Sequence, residues 1–127
     1  MMTDRQDTRP EVIEIRKSSC SAMLREAEST YSRSFSSLEY FFCQENLDTV
    51  TRERIIPLLC EMTGILHQYI NFLKERMVPE YTRISEETGE ELIMFQTNEL
   101  ISAQGLILML GTIEKELRTY NVLLALN

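Results

Sequence analysis

The sequence predicts an all-α fold, an elongated antiparallel bundle of three long helices, with a fourth helix if the first one breaks. Apolar residues recur at spacings of three, four and seven along most of the chain, which is the spacing of one helix face. Only 4 Gly and 3 Pro occur in 127 residues, too few for the frequent turns of an all-β protein. No stretch alternates apolar and polar residues for long enough to predict a sheet.

Residues 1–8 are predicted to form a disordered tail, and residues 9–127 a single helical-bundle domain. The start of the first helix is indicated by three residues. Thr8 is a suitable N-cap, Pro10 fits the first helical turn, and Glu11 lies where a capping box needs a carboxylate. We therefore expect the first helix to begin at the start of this domain.

The first helix is predicted to continue to about Asn46, because its apolar stripe keeps its phase from Ile13 to Phe42. Residues 29–37 are rich in serine and threonine, whose hydroxyls compete for backbone hydrogen bonds. The unbroken phase of the stripe favours a kink over a break in this segment. A break would turn the three-helix bundle into a four-helix one, so the continuity of the first helix is left open.

Capping residues and a proline bound the other two predicted helices. Asp48 is a good N-cap for a second helix that runs to about Val78, where Pro79 ends it. The third helix starts at either Ser85 or Thr88, since Thr88 begins a second capping-box pattern. It then runs without proline to near the C-terminus.

The third helix carries five consecutive apolar residues, Leu106 to Leu110, between Gly105 and Gly111. Five successive residues cover the whole circumference of a helix, and a run interrupted by Gln104 and Thr112 is too short to cross a membrane. Because each helix of a three-helix bundle keeps one side in water, a second molecule is expected to cover part of this run. The alternative, that the run is ordinary core, stays open.

The two glycines are expected to mark close approach of neighbours on two sides of the third helix, one of them near Gly64 in the second helix. We predict that the outer face of the third helix is an interface, and that Leu110→Asp splits the assembly. Its predicted residues are Gly105, Leu106, Met109, Leu110, Ile113 and Leu117, extended by Leu123, Leu124 and Leu126.

Composition and charge argue against several classes of function. The net charge is −7, and residues 85–127 carry 2 basic against 7 acidic side chains. The sequence has no basic stripe of the kind that nucleic-acid binding requires, so a nucleic-acid partner is not expected. Three cysteines without a CxxC pair argue against a zinc site or disulfide framework, and are expected to be reduced and buried. The polar N-terminus has no secretory signal, so a cytoplasmic or nuclear location is expected.

Motifs for chemistry are not found, so no catalytic, cofactor-binding or metal-binding residue is predicted. The sequence has no phosphate-binding glycine loop and no Glu-x-x-His pattern. His67, the only histidine, is expected on a polar helix face. The acidic residues from Glu86 to Glu91 are expected to be a solvated helix start rather than a cation site.

The leading hypothesis is a non-enzymatic protein–protein interaction module. It would act as a homo-oligomeric scaffold, or as a small subunit or regulator of a larger complex, with itself or another helical subunit as partner. The alternative is a monomeric adaptor that binds an amphipathic helix in a groove formed by Phe41, Phe42, Met62 and Tyr69. A third hypothesis is a small-molecule-binding or enzymatic bundle with a pocket lined by His67 and Tyr69.

Overall fold

A computed structural model of the protein describes residues 11–122 and residue 124. Three long helices pack on one face of a small antiparallel sheet. The elements in chain order are β1 Val12–Arg16, α1 Lys17–Phe42, α2 Ile56–Arg76, β2 Thr82–Ile84, β3 Glu91–Gln96 and α3 Thr97–Thr119. The predicted tail, residues 1–8, lies outside the described residues. The expectation of a mainly helical protein is confirmed, but the purely α architecture is wrong because a sheet is present.

The sheet has the strand order β1-β3-β2 and joins segments that are far apart in the sequence. Ile13 lies opposite Phe95, and Ile15 lies opposite Ile93. Ile93 and Phe95 are buried together with Cys20 of α1, so one face of the sheet packs against the helices. The first helix therefore begins at Lys17 and not near residue 9, because the preceding residues pair as a strand.

A hairpin turn occupies the segment in which the third helix was expected to start. The Ser85 amide donates to the Glu90 carbonyl at 2.8 Å, and the Gly89 amide donates to the Ser85 carbonyl at 2.8 Å. Gly89 has a φ of 75°, a conformation that glycine adopts without strain. Glu86 and Glu87 thus lie in the loop of this hairpin, and Thr88 does not cap a helix.

α3 follows directly after the six residues of β3, and a different capping box stabilises its N-terminus. The Gln96 side chain accepts from the backbone of the first turn, and the Gln96 amide donates to Glu99 Oε1 at 2.9 Å. Glu99 also forms an ion pair with Arg76 at the end of α2, and Arg76 lies over the ring of Tyr81. These contacts hold the start of α3 against the end of α2.

α1 is continuous through its serine-rich segment, which settles the open question from the sequence. Ser34 is fully buried, and its hydroxyl lies 2.6 Å from Thr63 Oγ1, which itself donates to the Leu59 carbonyl at 2.7 Å. These small side chains allow α1 and α2 to pack closely and satisfy their own hydroxyls. The serines therefore serve the helix contact instead of breaking the helix.

α2 begins after one π-helical turn, Thr51–Ile55, and the predicted cap is in place. Asp48 Oδ1 accepts from the Thr51 amide at 2.7 Å, and this hydrogen bond holds the pKa of the Asp48 carboxyl below its ordinary value. α2 runs antiparallel to α1, since Tyr69 lies near Met23 and Thr63 lies near Ser34. The main core forms between the three helices, with Leu59, Met62 and Leu73 at its centre.

Candidate functional site

The apolar run of α3 is divided between the core and solvent. Leu106 and Leu110 are partly buried against the main core. Ile107, Leu108 and Met109 are 46%, 67% and 47% exposed, and Ile101 two turns earlier is 65% exposed. We define the α3 outer face as the exposed apolar residues and the two glycines of this segment, of which Gly105 is half-buried: Ile101, Gly105, Ile107, Leu108, Met109 and Gly111.

The predicted interface residues lie on two different sides of α3. Gly105 and Met109 belong to the α3 outer face, and Leu106 and Leu110 lie at its border with the core. Ile113 and Leu117 are only 5% and 3% exposed. They pack in the chain's own core and not on the interface where the sequence placed them. Leu124 is partly buried against the same core, whereas Leu123 and Leu126 lie outside the described residues.

Four residues of the α3 outer face were missing from the predicted interface: Ile101, Ile107, Leu108 and Gly111. Residues three, four or seven apart share a helix face, and Ile101 and Leu108 are seven apart. The buried stripe, by contrast, passes through Ala103, Leu110 and Leu117. This spacing distinguishes the exposed stripe from the buried stripe. The sequence alone does not indicate which of the two stripes packs against α2.

The glycines of α2 and α3 do not mark close contacts within the chain. A Cβ atom built at Gly64, Gly105 or Gly111 would have no other atom within 4 Å among the described residues. The predicted approach of Gly64 to a glycine of α3 is therefore wrong. Gly105 and Gly111 instead leave two shallow open positions on either side of Leu108.

A cleft of about 520 Å³ separates α1 from α3. Its floor is formed by α2 through Met62, Leu66 and Tyr69, and Ile107 and Gly111 lie on its α3 wall. The cleft is therefore continuous with the α3 outer face, because Ile107 and Gly111 belong to both. A helix that docks in the cleft would contact all three helices of the bundle.

The cleft combines an apolar floor with a few polar groups on its α1 wall. Arg33 Nη2 donates to Thr30 Oγ1 at 3.3 Å, while Arg33 Nε is buried without a hydrogen-bond partner in the described part of the chain. The Tyr69 hydroxyl donates to Met23 Sδ at 3.8 Å. Burial raises the pKa of Tyr69, and the nearby Cys20 and Glu26 raise it further, so this phenol stays neutral at physiological pH.

The four residues of the predicted Phe/Met groove do not come together. Met62 and Tyr69 line the cleft, but Phe41 is partly buried in the core at the far end of α1. Phe42 is 65% exposed next to it and does not line the cleft. The cleft therefore keeps two of the predicted groove residues and replaces the aromatic pair with side chains of α3.

Groups that could support chemistry are scattered. His67 is exposed, lies 3.2 Å from Asn71 Nδ2 and does not line the cleft, so it forms no common pocket with Tyr69. Within residues 11–122 and 124, no three His, Cys, Asp or Glu side chains are grouped as metal ligands. Cys20 is buried, as expected, but Cys43 and Cys60 are exposed, which corrects the expectation for those two.

Among the described residues, no helix has both the length and the apolar character needed to cross a membrane. Comparisons with protein-family models, with curated proteins and with solved structures give no match for this chain.

Proposed function

We propose that the protein is a non-enzymatic helical interaction module that associates with a protein partner through the α3 outer face. It would serve as a homo-oligomeric scaffold or as a small subunit or regulator of a larger complex. The observation that supports this proposal is the exposure of Ile101, Ile107, Leu108 and Met109 on one helix, each between 46% and 67%. A group of exposed apolar side chains on one helix is typical of interaction sites.

Covering this surface makes a favourable contribution to association. Complete burial of an aliphatic side chain contributes about 2 kcal/mol, so covering four that are roughly half exposed contributes about 4 kcal/mol per copy. Removing this surface from water is the driving force that we assign to the partner contact. Charged residues are absent from the segment between Glu99 and Glu114, so desolvation of charges does not oppose it.

The test is the mass of the protein in solution, by sedimentation or light scattering at micromolar concentration, with and without Leu108→Asp. A charge at this exposed position disrupts an interface and leaves the core intact. Leu110→Asp is a weaker choice because Leu110 also packs against the core. Gln68→Asp, at an exposed position of α2, is the matched control.

We expect the wild type and Gln68→Asp to be larger than one chain, and Leu108→Asp to be monomeric and folded. If the purified wild type is a monomer, association then has to be sought with a partner from the native cell. A Leu108→Asp variant that captures the same partner as the wild type would contradict the proposal.

A second candidate function is a monomeric adaptor that binds an amphipathic helix of a partner. The observation that favours it is the open cleft between α1 and α3, with its apolar floor of Met62, Leu66 and Tyr69. Thr30→Trp would fill the cleft from the α1 wall. This function predicts that Thr30→Trp abolishes partner capture while Leu108→Asp does not, which is the reverse of the first proposal.

A further inference from the structure

We propose that the partner of the α3 outer face is a second copy of this chain, whose α3 packs antiparallel against it across a two-fold axis at Leu108. This inference rests on the proposed function and names the partner. It is carried by the symmetry of the exposed segment, by the open positions at its two glycines and by the distribution of charge along α3.

The exposed segment reads almost the same in both directions. Residues 105–111 are Gly-Leu-Ile-Leu-Met-Leu-Gly, with Leu108 at the centre. A two-fold axis at Leu108 places Gly105 level with Gly111 of the second copy, and Ile107 level with the second copy's Met109. An interface between identical surfaces requires each residue to be compatible with its symmetry partner, and this segment meets that requirement.

The same symmetry extends along the exposed side of the helix. Ile101 and Lys115 lie seven residues before and after Leu108, so the three residues form one line along α3. In the antiparallel pair, Leu108 faces Leu108 of the second copy, and Ile101 faces the second copy's Lys115. The aliphatic part of Lys115 can cover Ile101 while its ammonium group stays in water.

The glycines explain how the two helices approach each other. Gly105 and Gly111 lie one turn before and one turn after Leu108, each about 60° away from it around the helix axis. A Cβ at either position would contact nothing within the chain, so the fold itself does not require glycine there. In the antiparallel pair these positions border the site that receives Leu108 of the second copy, where the absence of a side chain lets the backbones come close.

Charge selects the antiparallel over the parallel arrangement. A parallel pair would place Lys115 against Lys115 and would bring Glu114 and Glu116 close to the same residues of the second copy. The antiparallel pair places these charged residues beside the opposite half of the second copy's helix, which is uncharged from Leu100 to Gly105. It also aligns the two helix dipoles favourably.

Disulfide trapping tests both the contact and its direction. The exposed Cys43 and Cys60 are first changed to serine, which leaves only the buried Cys20. New cysteines are then introduced as Leu108→Cys, as Lys115→Cys, and as Ile101→Cys together with Lys115→Cys. After mild oxidation, covalent dimers are measured on a non-reducing gel, and circular dichroism checks the fold of each variant.

We expect Leu108→Cys to form a covalent dimer, because residue 108 lies on the axis. Lys115→Cys alone should form no covalent dimer. The two copies of residue 115 are about 21 Å apart along an antiparallel pair, whereas a disulfide requires Cα atoms within about 7 Å. The double variant, Ile101→Cys with Lys115→Cys, should form the covalent dimer. Gly105→Ala with Gly111→Ala should weaken the non-covalent dimer at least tenfold.

Each other outcome overturns the inference in a recognisable way. A wild type that stays monomeric at micromolar concentration, but captures another protein through Leu108, retains the proposed function and refutes the second copy as partner. A dimer without disulfide formation at Leu108→Cys refutes this contact alone. Disulfide formation by Lys115→Cys alone refutes the antiparallel direction.

Discussion

Replacing the α3 glycines with alanine should stabilise the folded chain while it weakens the association of two chains. Glycine inside a helix is about 1 kcal/mol less favourable than alanine. A Cβ at Gly105 or Gly111 meets no other atom within 4 Å. Each substitution should therefore raise the free energy of unfolding by about that amount, without a steric cost. For a domain of this size, 1 kcal/mol corresponds to a rise of about 4 °C in the unfolding midpoint.

The measurement is thermal and urea unfolding, followed by circular dichroism at a protein concentration low enough for the monomer to dominate. Gly64→Ala is the matched control, because Gly64 is exposed on α2 and its Cβ also meets open space. All three substitutions should raise the stability of the monomer by similar amounts. Only those at Gly105 and Gly111 should reduce the mass observed at higher concentration.

Two results would refute this reasoning. A loss of monomer stability on Gly105→Ala or Gly111→Ala would mean that the helix is closely packed there within one chain. An unchanged association in both variants would mean that the glycines do not border the contact between two molecules.

Three further predictions concern the fold that presents the α3 outer face. Ser34→Ala should destabilise the protein by about 1 kcal/mol in urea unfolding, because it leaves Thr63 without its buried partner. Phe95→Ala should destabilise it by about 4 kcal/mol in the same assay, because Phe95 is 1% exposed between sheet and helices. The hydrogen bond from the Thr51 amide lowers the pKa of the Asp48 carboxyl in the folded chain. Its stabilising effect is therefore fully present above the ordinary pKa of 3.8, and it is lost as the pH falls through the lower pKa of the folded chain. Unfolding midpoints of the wild type should therefore exceed those of Asp48→Asn at neutral pH and converge with them in acid.

Controls for the two core substitutions lie on the same elements. Ser32→Ala changes an exposed serine of α1 and should have little effect on unfolding. Met94→Ala changes the outward face of β3, where the side chain is only partly buried, and should cost clearly less than Phe95→Ala. Equal effects of Met94→Ala and Phe95→Ala would contradict the assignment of the buried sheet face.

The helices could be predicted from the sequence because their signals are local. The stripe of α1, the Asp48 cap and the length of α3 beyond Thr97 depend on residues within a few turns of one another. The sheet depends on the pairing of residues 12–16 with residues 92–96, about 80 positions away. Val12–Arg16 is short, and Ile13 also fits the helix stripe that continues through Cys20, so periodicity alone assigned this segment to α1.

The capping box predicted for the third helix differs from the one that forms in the structure. Thr88 followed by Glu91 has the pattern of a capping box, but Gly89 adopts a positive φ and the segment turns into a hairpin. The cap that forms uses Gln96, an unusual N-cap residue, with Glu99. Strand pairing decides between the two, because it extends the chain up to residue 96.

The candidate site was predicted to the level of the helix, but not to the level of its face. An apolar run around the whole circumference of α3 indicates that something covers every side. Which side belongs to the core depends on where α2 lies, and α2 shares its core with Ala103, Ile113 and Leu117 of α3. Ile113 and Leu117 were assigned to the wrong side for this reason.

The register of the sheet fixes the distance between α1 and α3. α1 leaves the sheet at Arg16, opposite Leu92, and α3 leaves it at Gln96, opposite Val12. The two exits are four residues apart along β3, or about 14 Å, whereas directly packed helices have axes about 8–10 Å apart. The strand pair thus acts as a spacer that keeps the two helices apart at their base, and shortening it by two residues would bring their axes within packing distance.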